Sequence, residues 1–381
     1  MTLEELTTLD NLNEAFHRCA KVSHWKESTQ RYKANLLVNN LQLQQELRNG
    51  TYRVSDTIDF QINERGKIRD IQAPVVRDRI VQKILCEKIL IPQLSRSLIY
   101  DNYASLKGRG TSFARKRLDV MLRRYIREHG TQGYVLKIDV KKYFDSIDHD
   151  VLKRMIRRDI HEPTEIMELI DYIIDTSSDT DKGLNLGAEA PQIFAVYYLS
   201  RIDNYIKTIC REKYYGRFVD DIIVISDSKE HMKDLLADIE KQFGEIGLEA
   251  NERKTTITTL KHGFTFLQIK YNLDGRKIIK RPTPSKITRL RRRLKKYKKK
   301  YDMGVMSGAD VRNAYMSCRN SILKECNRAK RSIYETDKIY KSLFPESVEN
   351  KRCTREELIQ DVLKDKEVLE CIQSFYRTEH A

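Results

Sequence analysis

Tyr214-Tyr215-Gly216-Arg217-Phe218-Val219-Asp220-Asp221-Ile222-Ile223-Val224-Ile225 is the stretch that decides the fold. An aromatic-rich run and a β-branched run flank two adjacent aspartates, the composition of two strands joined by a tight turn. The pattern predicts a β-hairpin with two carboxylates at its tip. Crowding two like charges is costly unless a cation neutralises them. Tyr134-Val135-Leu136-Lys137-Ile138-Asp139 is a second short apolar strand, and it too ends in an aspartate. If the strands lie side by side, Asp139 joins Asp220 and Asp221 in a three-carboxylate cluster. Such a cluster can hold two Mg²⁺ ions about 3.5–4 Å apart, the arrangement that activates a 3′-hydroxyl and stabilises a pyrophosphate leaving group. An isolated Asp-Asp pair also suits a solvated turn, so the rest of the chain must decide.

The chain has 381 residues and a formal net charge of +16, which makes a polyanion its natural partner. No run of about 18 apolar residues is present, so no membrane span is expected. The first residues, Met1-Thr2-Leu3-Glu4-Glu5, are acidic and form no apolar signal core. Seven cysteines are scattered without a C-x-x-C pair, and eight histidines show no ligand spacing. Buried or idle thiols in a reducing cytoplasm fit this usage better than disulfides or zinc.

Residues 1 to about 50 read as helices, and 51–75 as a strand pair turning at Asn63-Glu64-Arg65-Gly66. A helix is expected from about Arg77 to Leu94, with Ile80, Ile84, Leu85 and Ile89 on one face. A glycine-bearing loop at 107–111 leads to another helix ending near Arg127. Asp148 and Asp150 follow the strand that ends at Asp139, and read as helix-capping or surface residues rather than metal ligands. Character changes at Arg281-Pro282-Thr283-Pro284. From Lys286 to Lys300 ten of fifteen residues are Lys or Arg, while Ile287, Leu290, Leu294, Tyr297 and Tyr301 keep helical spacing. That is an amphipathic helix with a narrow apolar seam and a basic exterior. A run of one sign repels itself, and phosphate backbone would compensate it.

In order, these motifs resemble a reverse transcriptase over nearly the whole chain. The similarity is strongest to the prokaryotic branch containing group II introns, diversity-generating retroelements and defence-associated enzymes of the formerly unclassified groups. Leu43–Tyr52, Arg77-Asp78-Arg79-Ile80-Val81-Gln82 and Ile99-Tyr100-Asp101-Asn102-Tyr103-Ala104 are each similar to that branch. The resemblance implies an α+β, right-hand polymerase fold. It places N-terminal helices and fingers at 1–130, a palm of antiparallel sheet with helices at 131–275, and a helical basic thumb with a C-terminal segment at 276–381.

It also implies roles. Asp139 and Asp220 would coordinate both metals, Mg²⁺ with Mn²⁺ as a substitute, and Asp221 would support them. Lys67 and Arg69 on the fingers hairpin would clamp the incoming triphosphate. Arg77 and Arg79 would position template or brace their helix. Phe144 would sit beneath the sugar and select deoxynucleotides, leaving Tyr143 to the core. Gly183–Gln192 resembles the motif in which small residues admit the nascent base pair, with Gln192 near the nucleotide. Leu186-Gly187 is the form typical of diversity-generating enzymes, but Pro191 stands where that class has serine. Lys254 would protonate departing pyrophosphate. Phe266 and Leu267 would belong to a primer grip, and Arg291, Arg292, Lys295, Lys296 and Lys299 would track the duplex backbone.

The implied function is an RNA-directed DNA polymerase that copies a structured noncoding RNA into cDNA, with dNTPs and a DNA primer, in antiviral defence of the short, type 2-like kind. An accessory protein or a second copy of the chain could complete it. A diversity-generating retroelement enzyme is the alternative, and a non-catalytic RNA-binding scaffold the remote one. A Phe144 sugar gate argues against an RNA-dependent RNA polymerase, and the short segment after Tyr301 against a group II intron protein.

Overall fold

The computed structural model describes residues 1–64 and 67–345. Short helices open the chain: α1 (Leu3–Leu6), α2 (Leu9–Ala20), α3 (Glu27–Ala34) and α4 (Leu36–Arg48). An antiparallel ribbon follows, β1 (Ile58–Glu64) on β2 (Lys67–Ala73). Next come α5 (Val76–Leu85) and α6 (Ile91–Leu94), joined by one π-helical turn at Cys86–Leu90. The helix expected to run straight to Leu94 therefore carries a widened turn. Its buried face continues through it, with Ile80, Ile84, Leu85, Cys86, Ile89 and Leu90 all inside.

After α7 (Thr111–His129) the chain forms β3 (Tyr134–Asp139), α8 (His149–Asp159), α9 (Thr164–Asp175), α10 (Glu189–Tyr198) and α11 (Ser200–Asn204). β4 (Tyr215–Phe218), β5 (Asp221–Ser226), α12 (Lys229–Glu245) and β6 (Thr256–Thr259) complete a four-stranded sheet of order β4-β5-β3-β6. Its pairs are antiparallel, and Asp139 lies opposite Asp221 in the β3–β5 register. Ile138, Ile222 and Val224 are fully buried, because α12 packs against β3 and β5 and α10 packs against α5 and α8. The sheet is thus the floor of a helix-covered layer, and the ends of β3 and β5 bring the carboxylates to one edge.

Three more strands, β7 (Phe264–Phe266), β8 (Ile269–Asp274) and β9 (Lys277–Pro282), form a sheet of their own. The helices α13 (Pro284–Asp302), α14 (Gly308–Glu325) and α15 (Lys330–Leu343) come last. Contacts divide the chain into two units. The first takes Met1–Phe264 and Leu273–Ile278, the second Thr265–Asn272 and the chain from Ile279 onward. Within the second unit, Ile287, Leu290 and Leu294 of α13 are buried, Tyr315 stacks on Tyr340 with ring centroids 4.5 Å apart, and Lys286 pairs with Glu325. No helix among the described residues is long and apolar enough to cross a membrane.

Candidate active site

The hairpin β4–β5 turns through only Val219 and Asp220, since Phe218 pairs with Asp221. A two-residue loop of this kind needs a positive φ at its first position, where glycine is usual. Here Val219 takes it, at φ 58°. Asp220 is left at the tip, and Asp221 begins the next strand beside Asp139.

Each carboxylate meets a different set of neighbours. Asp139 accepts from Lys254 Nζ at 2.8 Å and from Asn251 Nδ2 at 3.2 Å. Asp221 faces Lys137 Nζ at 3.1 Å. Burial pushes the Asp221 carboxyl up to about 6 against the pull of Lys137. Burial, reinforced by the charge of Asp139, also raises Asp220, while Lys254 and Arg69 draw it back down. Carboxylates held above their ordinary range by burial and by one another are short of positive charge. A divalent cation suits such oxygen donors, so the donor set fits the Mg²⁺ expected here. Among the described residues no group of three or more acidic, histidine or cysteine side chains is closed up as a metal cluster. Two ammonium groups share these carboxylates instead.

A cleft of about 900 Å³ lies between the ribbon and the segment 175–186, lined by Ile68, Arg69 and Gln72 of β2, by Asp145, and by Gly183–Leu186, and none of Asp139, Asp220 and Asp221 is in its wall. That volume accommodates a nucleotide-sized ligand. Arg69 lies on the β2 side of this cleft, and its charge reaches Asp220. Lys67 begins β2 opposite Glu64, and its side chain falls outside the described residues. Phe144 is half-buried, edge-on to Tyr143 at 5.8 Å between centroids. Tyr143 is buried and donates its hydroxyl to the Ala195 carbonyl. Gln192 is exposed on α10.

Arg77, Arg79, Phe266 and Gly187 each meet protein neighbours. Arg77 pairs with Glu46 and lies over the Tyr52 ring at 5.2 Å. Arg79 donates to the Cys19 carbonyl at 2.9 Å and to Ser23 Oγ at 3.2 Å. Both arginines make bracing contacts to neighbouring helices, one of the two roles expected of them. Phe266 is fully buried and packs inside, so of the grip pair only half-buried Leu267 reaches the surface of its turn. Leu267 and Gln268 have φ of 45° and 65° there. Gly187 serves the ribbon: a Cβ there would stand 2.9 Å from Ile71 Cγ2 and 3.0 Å from the Gln72 carbonyl. Gln72 N donates to Leu186 O beside it at 2.9 Å.

In the second unit, Arg292, Lys295, Lys296 and Lys299 are exposed along α13, whereas Arg291 is half-buried. Lys137 and Asn251 escaped the sequence reading. So did Arg217 and Asp203, a fully buried ion pair beneath the hairpin. Lys137 lies two residues before Asp139 on the same strand face, a signal that alternation could have supplied. The other partners are far apart in sequence.

A family model described as reverse transcriptase (RNA-dependent DNA polymerase) matches residues 59–271, more than half of the chain and all of the carboxylate site. The chain belongs to the reverse transcriptase family. Among curated proteins, retron Ec48 reverse transcriptase of Escherichia coli is 29% identical over 126 residues, which is 32% of this chain and 30% of that protein. The aligned stretch therefore spans under a third of the relative's length. Among solved structures, Candida albicans telomerase in complex with the TWJ fragment of telomeric RNA is 14% identical with TM-score 0.49, covering 83% of this chain and 58% of that one. Candida tropicalis apo telomerase truncated from its C-terminal domain is 16% identical with TM-score 0.44, covering 64% and 60%.

Proposed function

We propose that this chain extends a DNA primer along an RNA template by two-metal nucleotidyl transfer, and that the template is a dedicated noncoding RNA copied in antiviral defence. The observation that carries the chemistry is the β3–β5 register, which sets Asp139 opposite Asp221 with Asp220 one residue away at a two-residue turn. The family supports an RNA template. The sequence motifs shared with defence-associated enzymes support the biological role. In this reading residues 1–130 supply N-terminal helices and fingers, 131–275 the palm, and 276–381 the thumb and a C-terminal segment, of which 346–381 lie outside the described residues.

Asp139 and Asp220 would hold the metals, and Asp221, already paired with Lys137, would support them. Bound Mg²⁺ supplies Lewis acidity at the primer 3′-hydroxyl and balances charge on the leaving pyrophosphate. Arg69, at the cleft wall, binds the triphosphate by charge-assisted hydrogen bonds. Lys254 shares the Asp139 carboxylate, so its ammonium stands where a proton can pass to pyrophosphate. Phe144 closes the space a 2′-hydroxyl would need, and Gln192 is free to meet the nucleotide from α10.

Asp139→Ala and Asp220→Ala are each expected to abolish dNTP incorporation on an RNA template while leaving melting temperature and RNA affinity near those of the parent protein. Primer extension at close to the parental rate in either variant would overturn the assignment.

A further inference from the structure

Among the described residues, Arg217 is the largest side chain that is buried completely. Its acid partner, Asp203 on α11, is equally buried. Placing an ion pair in a core costs several kcal/mol of desolvation, and well-packed apolar residues of the same volume usually do as well or better for stability. The pair must therefore be judged by what its geometry accomplishes. A guanidinium has five N–H donors in a rigid planar fork. Here Nε reaches Asp203 Oδ1 at 2.8 Å and Oδ2 at 3.0 Å, and Nη2 reaches Asp203 Oδ2 at 2.6 Å and the Val196 carbonyl at 2.9 Å. Tyr215 donates its hydroxyl to the same carboxylate. Nη1 reaches up the hairpin and donates to the Val219 carbonyl at 2.7 Å.

Val219 is the residue with φ 58° at the turn. A β-branched side chain is among the least suited to that region, and such strain persists only where surrounding contacts hold it. The backbone of Arg217 is fastened as well: its N–H donates to Asp101 O at 3.0 Å, and its carbonyl accepts from Tyr103 N at 2.8 Å. The peptide plane between Val219 and Asp220 is thus fixed from below by one side chain anchored to helix α11 and to the Val196 carbonyl.

We propose that Arg217, oriented by Asp203, is a positioning residue that clamps the Val219 carbonyl and so sets the direction in which Asp220 presents its carboxylate to the metals. The proposal rests on the two-metal reading of the site. It assigns a purpose to a buried charge pair that core packing does not require. It also accounts for valine at a glycine position: with the clamp in place, stiff Val219 leaves the tip one conformation rather than several.

Three variants and two readouts test it. Arg217→Lys keeps the charge opposite Asp203, but a single ammonium cannot reproduce a planar fork that spans Asp203, Val196 and Val219. The double variant Arg217→Met/Asp203→Leu replaces the pair by apolar volume and guards against misfolding of the first. Both are expected to lose about 10- to 100-fold in kcat, the effect of a misplacement on the ångström scale. KM for dNTP should move less than about threefold, and Mn²⁺ titrated calorimetrically into the nucleic-acid-free protein should bind at least about fivefold more weakly. Adding Val219→Gly to Arg217→Lys tests the opposite direction. Glycine frees the tip further, so the clamp account predicts no recovery of kcat, whereas relief of local strain would restore it. A folded Arg217→Lys or double variant with parental kcat and Mn²⁺ affinity overturns the proposal, as does recovery on adding Val219→Gly. If the parent itself binds no Mn²⁺ and extends no primer, the two-metal reading has failed and the clamp falls with it.

Discussion

Asp220 and Asp221 are neighbours in sequence with opposite duties in the fold. Asp220 stands in the turn and Asp221 starts a strand beside Lys137. Burial raises Asp221 to about 6, above the ordinary carboxylate value near 4. Between those two values the folded protein keeps a proton that the unfolded chain has released, so this group lowers stability as pH rises through the interval. The full cost is present above pH 6 and absent below about pH 4. Asp221→Asn should therefore stabilise the metal-free protein at pH 8 by up to about 3 kcal/mol, and by much less at pH 4. Urea unfolding at the two pH values checks this, and equal gains at both would contradict it. Phe144→Ala is expected to narrow the preference for dNTP over rNTP, measured as the ratio of kcat/KM on one template. An unchanged ratio would return Phe144 to a packing role beside Tyr143. The carboxylates were legible because an acid run between strand-forming residues has a local signature. Asp148 was legible in the same way, and it does cap α8 by accepting from Val151 N at 3.0 Å. Lys254 with Asp139 and Arg217 with Asp203 were not legible as pairs. Their contacts depend on how distant elements meet, and periodicity carries no trace of that.

The elements that sequence described best are those with one buried face. β3 and β5 appear where β-branched and aliphatic residues cluster, and α13 spans Pro284–Asp302, starting at the proline that suits a first helical turn. The π-helical turn at Cys86–Leu90 was invisible because widening one turn leaves the apolar face in place. The seam of α13 narrows in the structure to Ile287, Leu290 and Leu294, with Tyr297 and Tyr301 half-buried. Leu290→Ala and Leu294→Ala should each destabilise by about 2–5 kcal/mol, as buried leucines do, with little direct effect on nucleic-acid affinity. The charged face should behave in the converse way. Neutralising Arg292, Lys295, Lys296 and Lys299 removes exposed charges without touching the core. Arg291 is best left out, since it is half-buried and its Nε is enclosed. Each lost phosphate contact should flatten the slope of log affinity against log salt by about 0.7–0.9. Parental affinity and slope in the fourfold variant would reduce the helix to a solvated surface.

At the scale of the whole molecule, charge and chemistry are separable. A formal charge of +16 attracts any polyanion, and that attraction is indifferent to sequence. The carboxylate edge adds nothing to it, because acidic side chains repel a phosphate backbone until cations intervene. The first unit holds all three aspartates, and the second holds α13 with its run of cations. The unit division is itself interleaved: Leu273–Ile278 returns to the first unit after Thr265–Asn272 has joined the second, a pattern that no linear reading of composition generates. If the template is a dedicated RNA, recognition must come from its folded shape, since backbone contacts alone cannot choose among sequences. The prediction is made on Asp220→Ala, which is expected to bind its template without copying it. Purified at moderate salt, it should retain RNA that is enriched for one discrete species, matching in length and sequence what the parent retains. Raising salt from about 0.1 to 0.5 M should release bulk RNA first, because non-specific binding is almost wholly electrostatic. The discrete species should persist longer, since shape-dependent contacts outlast screening. Sequencing the RNA from both washes decides the matter: a cellular average at every salt concentration would mean that the protein copies whatever primed strand it meets.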